Sequence, residues 1–311
     1  MTTNETPTHA HAPHAGANSL SAYMSALVSE LQGRGRVRTA ETYASALANF
    51  LRFRGGSDIG LDAITAETIG RYEAYMQSKG NTPNTTSFYM RILRAVYNRA
   101  VEARITEDRA PFRHVYTGVG KTPKRALPLT VIRAIKNFDL CAQPRIRHAR
   151  DMFMLSFYLR GMSFIDMAYL RKTDLCRGYV TYRRHKTGQA LSVKWTAAMQ
   201  DVIDRYPPNA APYLLPILTD PAHTGRRDYR NAAYNANSRL KKLGRLLGLP
   251  VPLTMYCARH SWATAALAKG VPVSVISEGL GHDSEATTRI YLASLSTTAV
   301  DRANALIIRS L

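Results

Sequence analysis

The sequence has little cysteine and little negative charge. Cys141, Cys176 and Cys257 are its only cysteines, and no two of them form a C-x-x-C pair. They are therefore predicted to be reduced, mostly buried thiols, and a disulfide framework or a zinc knuckle is not expected. Asp and Glu number 22 against 42 Lys and Arg, which gives a formal charge of +20. This imbalance is unlike that of a typical metabolic enzyme and indicates a polyanionic partner.

The sequence also lacks any run of about 18 apolar residues, so no segment is predicted to span a membrane. Residues 1–17 have no apolar core of the kind found in signal peptides, and we expect a cytoplasmic protein. These residues mix Thr, His, Ala and Pro without a period, which predicts a flexible tail. The alternative is a metal site formed by His9, His11 and His14.

Residues 18–105 show helical periodicity in four segments. In the first, Leu20, Met24, Leu27 and Leu31 recur at the spacing of one helix face. The other three helices are expected over about 38–54, from a cap at Thr65 to near Gly80, and over about 85–104. Four helices in so short a stretch predict a small all-helical domain.

Basic residues cluster at the end of this domain. The fourth helix carries Arg91 and Arg94, which could form a solvated face or contact phosphates, and the net charge favours phosphate contact. Residues 106–126 lack a helical period and contain several Gly and Pro, so they are predicted to be an interdomain linker. Within it, Lys121, Lys124 and Arg125 could follow a phosphate backbone.

Residues 127–311 predict a second domain that is mainly α with a small antiparallel β-sheet. Residues 179–183 and 190–194 alternate in the manner of strands, and a turn at 186–189 separates them. Helices are expected from about 129, over 145–160 and 163–171, and then over 228–247, 257–269, 272–279, 284–292 and 297–310.

The segment from Leu253 to Ala293 contains the most informative motifs. It holds Arg259-His260, Ala263-Thr264, Leu280-Gly281-His282 and Tyr291. These residues and their spacing resemble the signature of the tyrosine recombinase (phage integrase) family, and the resemblance extends over residues 18–311. It implies a two-domain architecture, in which a helical, SAM-like core-binding domain (18–105) precedes a catalytic domain (127–311).

The resemblance also implies a chemistry that explains these residue types. Tyr291 would be the nucleophile that attacks a DNA phosphodiester, and Arg259 would hold the non-bridging phosphate oxygens through its planar fork. His282 would donate a further hydrogen bond to the phosphate. Lys186 stands where the family places a β-hairpin lysine that acts as the general acid for the leaving oxygen. No metal, ATP or organic cofactor is implied.

Two positions depart from the family pattern. Tyr256 stands where the family has a histidine, and it could either donate a hydrogen bond to the phosphate or only pack. Ser163 stands where the family has its first catalytic arginine, and Arg160 precedes it by three residues. If both lay on one helix they would share a face, so Arg160 is expected to reach the same phosphate, with Arg171 and Lys172 as alternatives.

The run Arg160-Gly161-Met162-Ser163 is similar to a subgroup of integrases from Bacteroides-type mobile elements and invertases. Two neighbours of the proposed site are interpreted as structural. His260 is expected to brace its helix, and Asp166 is expected to brace an arginine or a helix residue.

The predicted function is that of a site-specific DNA recombinase, which cuts and rejoins strands through a 3′-phosphotyrosyl intermediate in integration, excision or inversion. The alternatives are a DNA-binding protein with a decayed site and a type IB topoisomerase that only relaxes DNA. The expected partners are double-stranded DNA of the bacterial nucleoid, further copies of the chain in a tetrameric synaptic complex, and accessory DNA-bending proteins. The last helix, 297–311, could fold back on its own domain or dock on a neighbouring copy, and the family resemblance implies docking on a neighbour.

Overall fold

The computed structural model describes residues 18–120, 125–292 and 308. The chain divides into two units at Thr122–Pro123. The first unit is helical, whereas the second combines helices with one small antiparallel sheet. The predicted fold class, mainly α with a small antiparallel sheet, is therefore confirmed.

Four helices form the first unit where the periodicity predicted them. Thr65 accepts a hydrogen bond from the Thr68 amide at 3.2 Å and is the predicted cap of the third helix. Ser19 and Thr82 cap the first and fourth helices in the same way. The helices enclose a core centred on fully buried aromatic and Met side chains. Their bounds are α1 Leu20–Gly33, α2 Val37–Phe53, α3 Ala66–Ser78 and α4 Pro83–Glu102.

The described part of the predicted linker, residues 106–120, packs along α4. Asn84 forms two hydrogen bonds with the backbone of Gly120, at 2.7 and 3.1 Å, and Ser87 donates to the carbonyl of Gly118. Farther along the helix, Arg94 donates to the hydroxyl of Thr117 at 2.8 Å. The chain therefore leaves the first unit close to the N-terminal end of α4.

The second unit is built around one buried helix. Helix α6 packs against α9 and α10, and its residues Met152, Phe153 and Leu155 are completely buried. The helices are α5 Leu129–Asn137, α6 Pro144–Tyr158, α7 Phe164–Ala168, α8 Ala197–Ile203, α9 Arg226–Leu246, α10 Met255–Ala268, α11 Val273–Leu280 and α12 Glu285–Tyr291. The expected helix over 163–171 is shorter than predicted: Ser163 caps α7, which ends at Ala168, and residues 172–174 form a separate 3-10 turn. Helix α8 was not predicted.

Three antiparallel strands, in the order β1-β2-β3, form the sheet. The strands β2, Tyr179–Arg183, and β3, Ala190–Lys194, have the bounds that the alternation predicted, and Val180 pairs with Val193. The short strand β1, Leu175–Cys176, was not predicted. The turn between β2 and β3 carries Lys186.

The thiols are unpaired, as predicted, but only Cys257 is buried. Cys141 lies in a turn after α5, and Cys176 is at the sheet edge, so the expectation of mostly buried thiols is wrong. Within the described ranges, no helix is long and apolar enough to cross a membrane. The predicted tail with its three histidines, the basic residues Lys121 and Lys124, and the predicted last helix apart from residue 308 lie outside the described residues.

Candidate active site

Arg259 forms the centre of the site. It lies in α10, is only 5% exposed, and its guanidinium joins three segments that are distant in sequence. Nη1 donates to the carbonyl of Gly161 at 2.9 Å, and Nη2 donates to the carbonyl of Leu280 at 2.6 Å. Nη2 also lies 3.0 Å from Nε2 of His282. The cation is thus held in one orientation by partners of the protein itself.

The close approach of Arg259 to the turn after α6 requires a glycine. Gly161 has φ +73°, in the left-handed region, and a Cβ built on it would lie 2.6 Å from the Cα of Arg259. Any other residue at position 161 would therefore displace the helix that carries Arg259.

His282 follows directly after the left-handed residue Gly281 that ends α11. Because a guanidinium can only donate, His282 Nε2 must be the acceptor of its contact with Arg259. The proton of the neutral ring is then on Nδ1, which donates to Oγ1 of the completely buried Thr288 at 2.8 Å. Burial, and then the positive charges of Arg259, Arg184 and Lys186, lower the pKa of His282 to about 4. The ring is therefore neutral near pH 7, with a lone pair on Nε2.

Arg160 does not share a helix with Ser163, so that part of the sequence argument is wrong. Helix α6 ends at Tyr158, and Arg160 has φ +58° in the turn that follows. A non-glycine residue in this conformation is strained by about 1 kcal/mol or more. The side chain extends toward α11 instead, where a Cβ on Gly279 would lie 3.8 Å from Arg160 Cδ. Arg160 also directly precedes Gly161, whose carbonyl binds Arg259.

Ser163 and Asp166 form a hydrogen-bonded pair that connects α7 to the turn carrying Lys186. The Ser163 hydroxyl donates to Asp166 Oδ2 at 2.7 Å and caps α7 by accepting from the Asp166 amide. The buried Oδ1 of Asp166 accepts from the backbone amide of His185 at 2.8 Å. Asp166 thus ties α7 to the turn between β2 and β3, a bracing role as expected, although its described partners are not arginines.

Lys186 is exposed in the turn between β2 and β3. The turn is closed on both sides of Lys186, because Arg184 N donates to Gln189 O at 2.9 Å and Gly188 N donates to Arg184 O at 2.8 Å. Its positive charge is one of those that, after burial, lower the pKa of His282.

Sequence reasoning missed the buried Arg184. It is 8% exposed, and its Nη1 donates to the carbonyl of Gly281, the residue before His282. A signal was present in the strand alternation. Val180 and Tyr182 face the core, and Arg184 continues that parity.

Tyr182 lies near the same cations. Burial, and then the charge of Asp166, raise the pKa of Tyr182 to about 12, although Arg259, Arg184 and Arg160 act in the opposite direction. The phenol at position 182 therefore loses its proton less readily than an ordinary tyrosine.

Tyr256 lies in the first turn of α10 and is 45% exposed. Its ring packs edge-on against His260, with 4.5 Å between the ring centroids. His260 thus contacts a neighbour on its own helix, and a large part of Tyr256 is open to solvent.

Tyr291 is the last residue of α12, three positions after Thr288. The position of its side chain lies outside what the structure describes. Helix α12 packs against both α10 and α11, the helices that carry Arg259 and lead to His282.

Of the basic residues predicted to bind DNA, the structure describes Arg91, Arg94 and Arg125. Arg91 is half-buried and Arg94 is exposed on α4, one turn apart, and Arg125 is exposed at the start of the second unit. In the part of the chain that the structure describes, no group of three or more His, Cys, Asp or Glu residues is arranged to hold a metal.

Two protein-family models match this chain. The phage integrase SAM-like domain matches residues 19–115, and the model of the phage integrase family matches residues 140–297, about half of the chain.

Similar full-length proteins agree with these matches. The tyrosine recombinase XerA of Pyrococcus furiosus is 27% identical, over 89% of this chain and 91% of its own length. The tyrosine recombinase XerA of Thermococcus kodakarensis is 26% identical, over 72% of this chain and 90% of its own length.

Solved structures share the fold. A lambda integrase dimer bound to a COC′ core site has a TM-score of 0.63 at 16% identity, over 88% of this chain and 95% of that one. The Tn1549 transposon integrase in complex with a circular intermediate DNA has a TM-score of 0.65 at 16% identity, over 92% of this chain and 99% of that one. The predicted two-domain architecture is therefore confirmed.

Proposed function

This chain belongs to the phage integrase family, and we propose that it is a site-specific DNA recombinase that cuts a strand through a 3′-phosphotyrosyl intermediate and rejoins it to a partner strand. The observation that carries the proposal is the buried Arg259, held by two carbonyls and in contact with His282. A fixed guanidinium stabilises the charge that develops on a phosphate without reorganising during the reaction.

In the proposed cleavage step, the phenolic oxygen of Tyr291 forms a bond to phosphorus and the bond from phosphorus to the 5′-oxygen breaks. Lys186 gives its ammonium proton to the leaving 5′-oxygen. When a phosphate oxygen replaces Nε2 of His282 as the acceptor of Arg259 Nη2, the lone pair on Nε2 takes the phenol proton, and the imidazolium then donates a hydrogen bond to the phosphate. The phosphate that enters with DNA opposes the cationic surroundings that lower the pKa of this ring.

The remaining catalytic assignments are Arg160 and Tyr256. Arg160 would supply the second cation for the phosphate oxygens, in place of an arginine at position 163. The exposed phenol of Tyr256 would donate a hydrogen bond to the phosphate. Ser163 would act indirectly, because its hydroxyl is engaged in capping α7.

Double-stranded DNA is the proposed substrate, contacted by Arg91, Arg94, Lys121, Lys124 and Arg125. Further copies of the chain are proposed to join it in a tetramer, and the segment 297–311 is proposed to dock on a neighbour. Association with the nucleoid follows from this substrate. Inversion, excision and integration share the same strand chemistry, and the Bacteroides-type subgroup stays a prediction.

The test is the formation of a covalent protein–DNA adduct on a nicked suicide substrate. Tyr291→Phe is expected to bind the DNA and to form no adduct, because Phe removes only the nucleophilic oxygen. Tyr182→Phe is the matched variant, since Tyr182 lies near the same arginines.

Adduct formation by Tyr291→Phe and its loss in Tyr182→Phe would move the nucleophile to position 182. The absence of any adduct in the unmodified protein would instead favour a decayed site. Relaxation of supercoiled DNA without products joined between two DNA molecules would favour the topoisomerase alternative.

A further inference from the structure

Arg184 connects the two turns that carry Lys186 and His282. Its backbone closes the turn around Lys186 through hydrogen bonds with Gln189 and Gly188. Its side chain, 97 positions away in sequence from its acceptor, donates to the carbonyl of Gly281. Arg184 therefore lies in one turn and binds the other through its side chain.

The turn at Gly281 is packed tightly against this arginine. Gly281 has φ +63°, and a Cβ built on it would lie 2.8 Å from Arg184 Cδ and 2.8 Å from Leu191 Cδ1. The left-handed glycine is thus required for the His282 turn to reach the hairpin of β2 and β3.

Two arginines bind consecutive carbonyls at the end of α11. Arg259 takes the carbonyl of Leu280, and Arg184 takes that of Gly281. These carbonyls lack partners within the helix and lie at the negative end of its dipole, so they favour cations. The two arginines approach from α10 and from the end of β2, so together they fix the end of α11 between these elements.

A second contact holds the same hairpin one residue farther on. The amide of His185 donates to the buried carboxylate of Asp166 at 2.8 Å. Residues 184 and 185 are thus anchored to two different parts of the second unit, and Lys186 is the next residue. Burying an arginine costs desolvation free energy, which the hydrogen bond from Arg184 to the carbonyl of Gly281 offsets.

We propose that Arg184 is a positioning residue, which docks the hairpin against the His282 turn and so places the ammonium of Lys186 at the leaving 5′-oxygen. The inference rests on the proposed function, in which Lys186 is the general acid. Without this contact, the hairpin keeps Lys186 but no longer holds it over the scissile phosphate.

The test compares two leaving groups in one protein preparation. Suicide substrates carry either an ordinary phosphodiester or a 5′-bridging phosphorothiolate at the cleavage site. In the second substrate the bond from phosphorus to sulfur breaks, and the thiolate leaves without needing a proton. Loss of the acid should therefore slow the first reaction and spare the second.

Arg184→Met is expected to slow cleavage of the ordinary substrate by about 10²-fold and cleavage of the phosphorothiolate by less than about tenfold. Lys186→Ala should show the same pattern. Arg177→Met, at an exposed arginine in the turn before β2, is the matched control and should leave both rates within about threefold of the unmodified protein.

The ratio of the two rates is independent of the folded fraction, so a partly unfolded variant still gives an answer. If Arg184→Met does not fold, Arg184→Lys serves instead, because it keeps the charge and loses the fork. If the Arg184 variant cleaves both substrates equally slowly while the phosphorothiolate restores cleavage by Lys186→Ala, the inference about Arg184 is overturned and the acid role of Lys186 stands. Failure of the thiolate to rescue Lys186→Ala would overturn the acid role of Lys186 in the proposed function.

Discussion

The centre and the rim of the candidate site are built in opposite ways. At the centre, Arg259 and His282 are held by carbonyls, by Thr288 and by each other. At the rim, Lys186 and Tyr256 are exposed on a turn and on the first turn of a helix. The side chains proposed to stabilise phosphate charge at the centre are thus held before DNA arrives. At the rim, the side chains of Lys186 and Tyr256 are exposed, and for Lys186 it is the backbone of its turn that is held.

This difference predicts how severely each residue should respond to substitution. A fixed donor stabilises the transition state without reorganising, so its removal should slow cleavage the most. An exposed donor also forms hydrogen bonds with water, so its removal should slow cleavage less. The predictions below order the residues from the centre outward.

The largest effect is expected for Arg259→Lys. Lysine keeps the charge but has no planar fork, so it cannot serve Gly161 O, Leu280 O and a phosphate together. Single-turnover cleavage on saturating DNA should fall by about 10³-fold, and thermal stability should also fall because a buried carbonyl is left unpaired. Arg177→Lys is the control, and a rate within tenfold for Arg259→Lys would contradict a fixed fork.

Arg160→Ala should give the next largest effect. This side chain lies between centre and rim, half-buried near Gly279. DNA binding should be nearly normal, while cleavage slows by about 10²-fold, as removal of one positioned donor commonly does. Lys172→Ala is the comparison, because the Lys172 ammonium donates to Asn209 O. If only the Lys172 variant cleaves slowly, the second cation is Lys172.

Tyr256→Phe should slow cleavage by about tenfold, whereas Tyr256→His should remain active. Phe keeps the edge-on packing with His260 and removes only the hydroxyl. The rates are compared by adduct formation at saturating DNA. Equal rates for Tyr256→Phe and the unmodified protein would make Tyr256 a packing residue.

The smallest effect concerns the pH dependence of stability. The folded pKa of His282, about 4, is below the ordinary value of 6.5, so the unfolded chain binds more protons between these values. The contribution of the neutral ring is fully present above about pH 6.5 and is lost as the pH falls toward 4. The unfolding midpoint should therefore drop less between pH 7 and 5 in His282→Gln than in the unmodified protein.

The half-buried His148, whose pKa burial also lowers, is retained in both proteins and contributes to the pH dependence that remains. If the unfolding midpoint of His282→Gln falls between pH 7 and 5 as steeply as that of the unmodified protein, the His282 ring is not desolvated in the folded state.

Local patterns predicted much of this architecture. Alternation located β2 and β3, and helical spacing located α1 to α4, because each depends on residues that are neighbours in sequence. The same patterns misplaced Arg160. Its left-handed turn is set by the approach of Gly161 to Arg259, which lies 98 positions away.

Arg184 and Thr288 illustrate the other kind of failure. In the run Arg183-Arg184-His185-Lys186 the alternation of β2 places Arg184 on the buried side, but the acceptor that makes its burial favourable, the carbonyl of Gly281, lies 97 positions away in sequence. Thr288 is an ordinary helix residue in the sequence, and its partner His282 becomes evident only when α11 and α12 are packed together.

The contacts of Arg259 also set the order in which the site can be completed during synthesis. Its two carbonyl partners lie 98 positions before it and 21 positions after it. A nascent chain that has exposed Lys186 and Arg160 on the ribosome still lacks the guanidinium, and one that has exposed Arg259 still lacks the end of α11. In the proposed function, the cations that hold the scissile phosphate are therefore assembled only once residue 282 has emerged, shortly before the proposed nucleophile Tyr291.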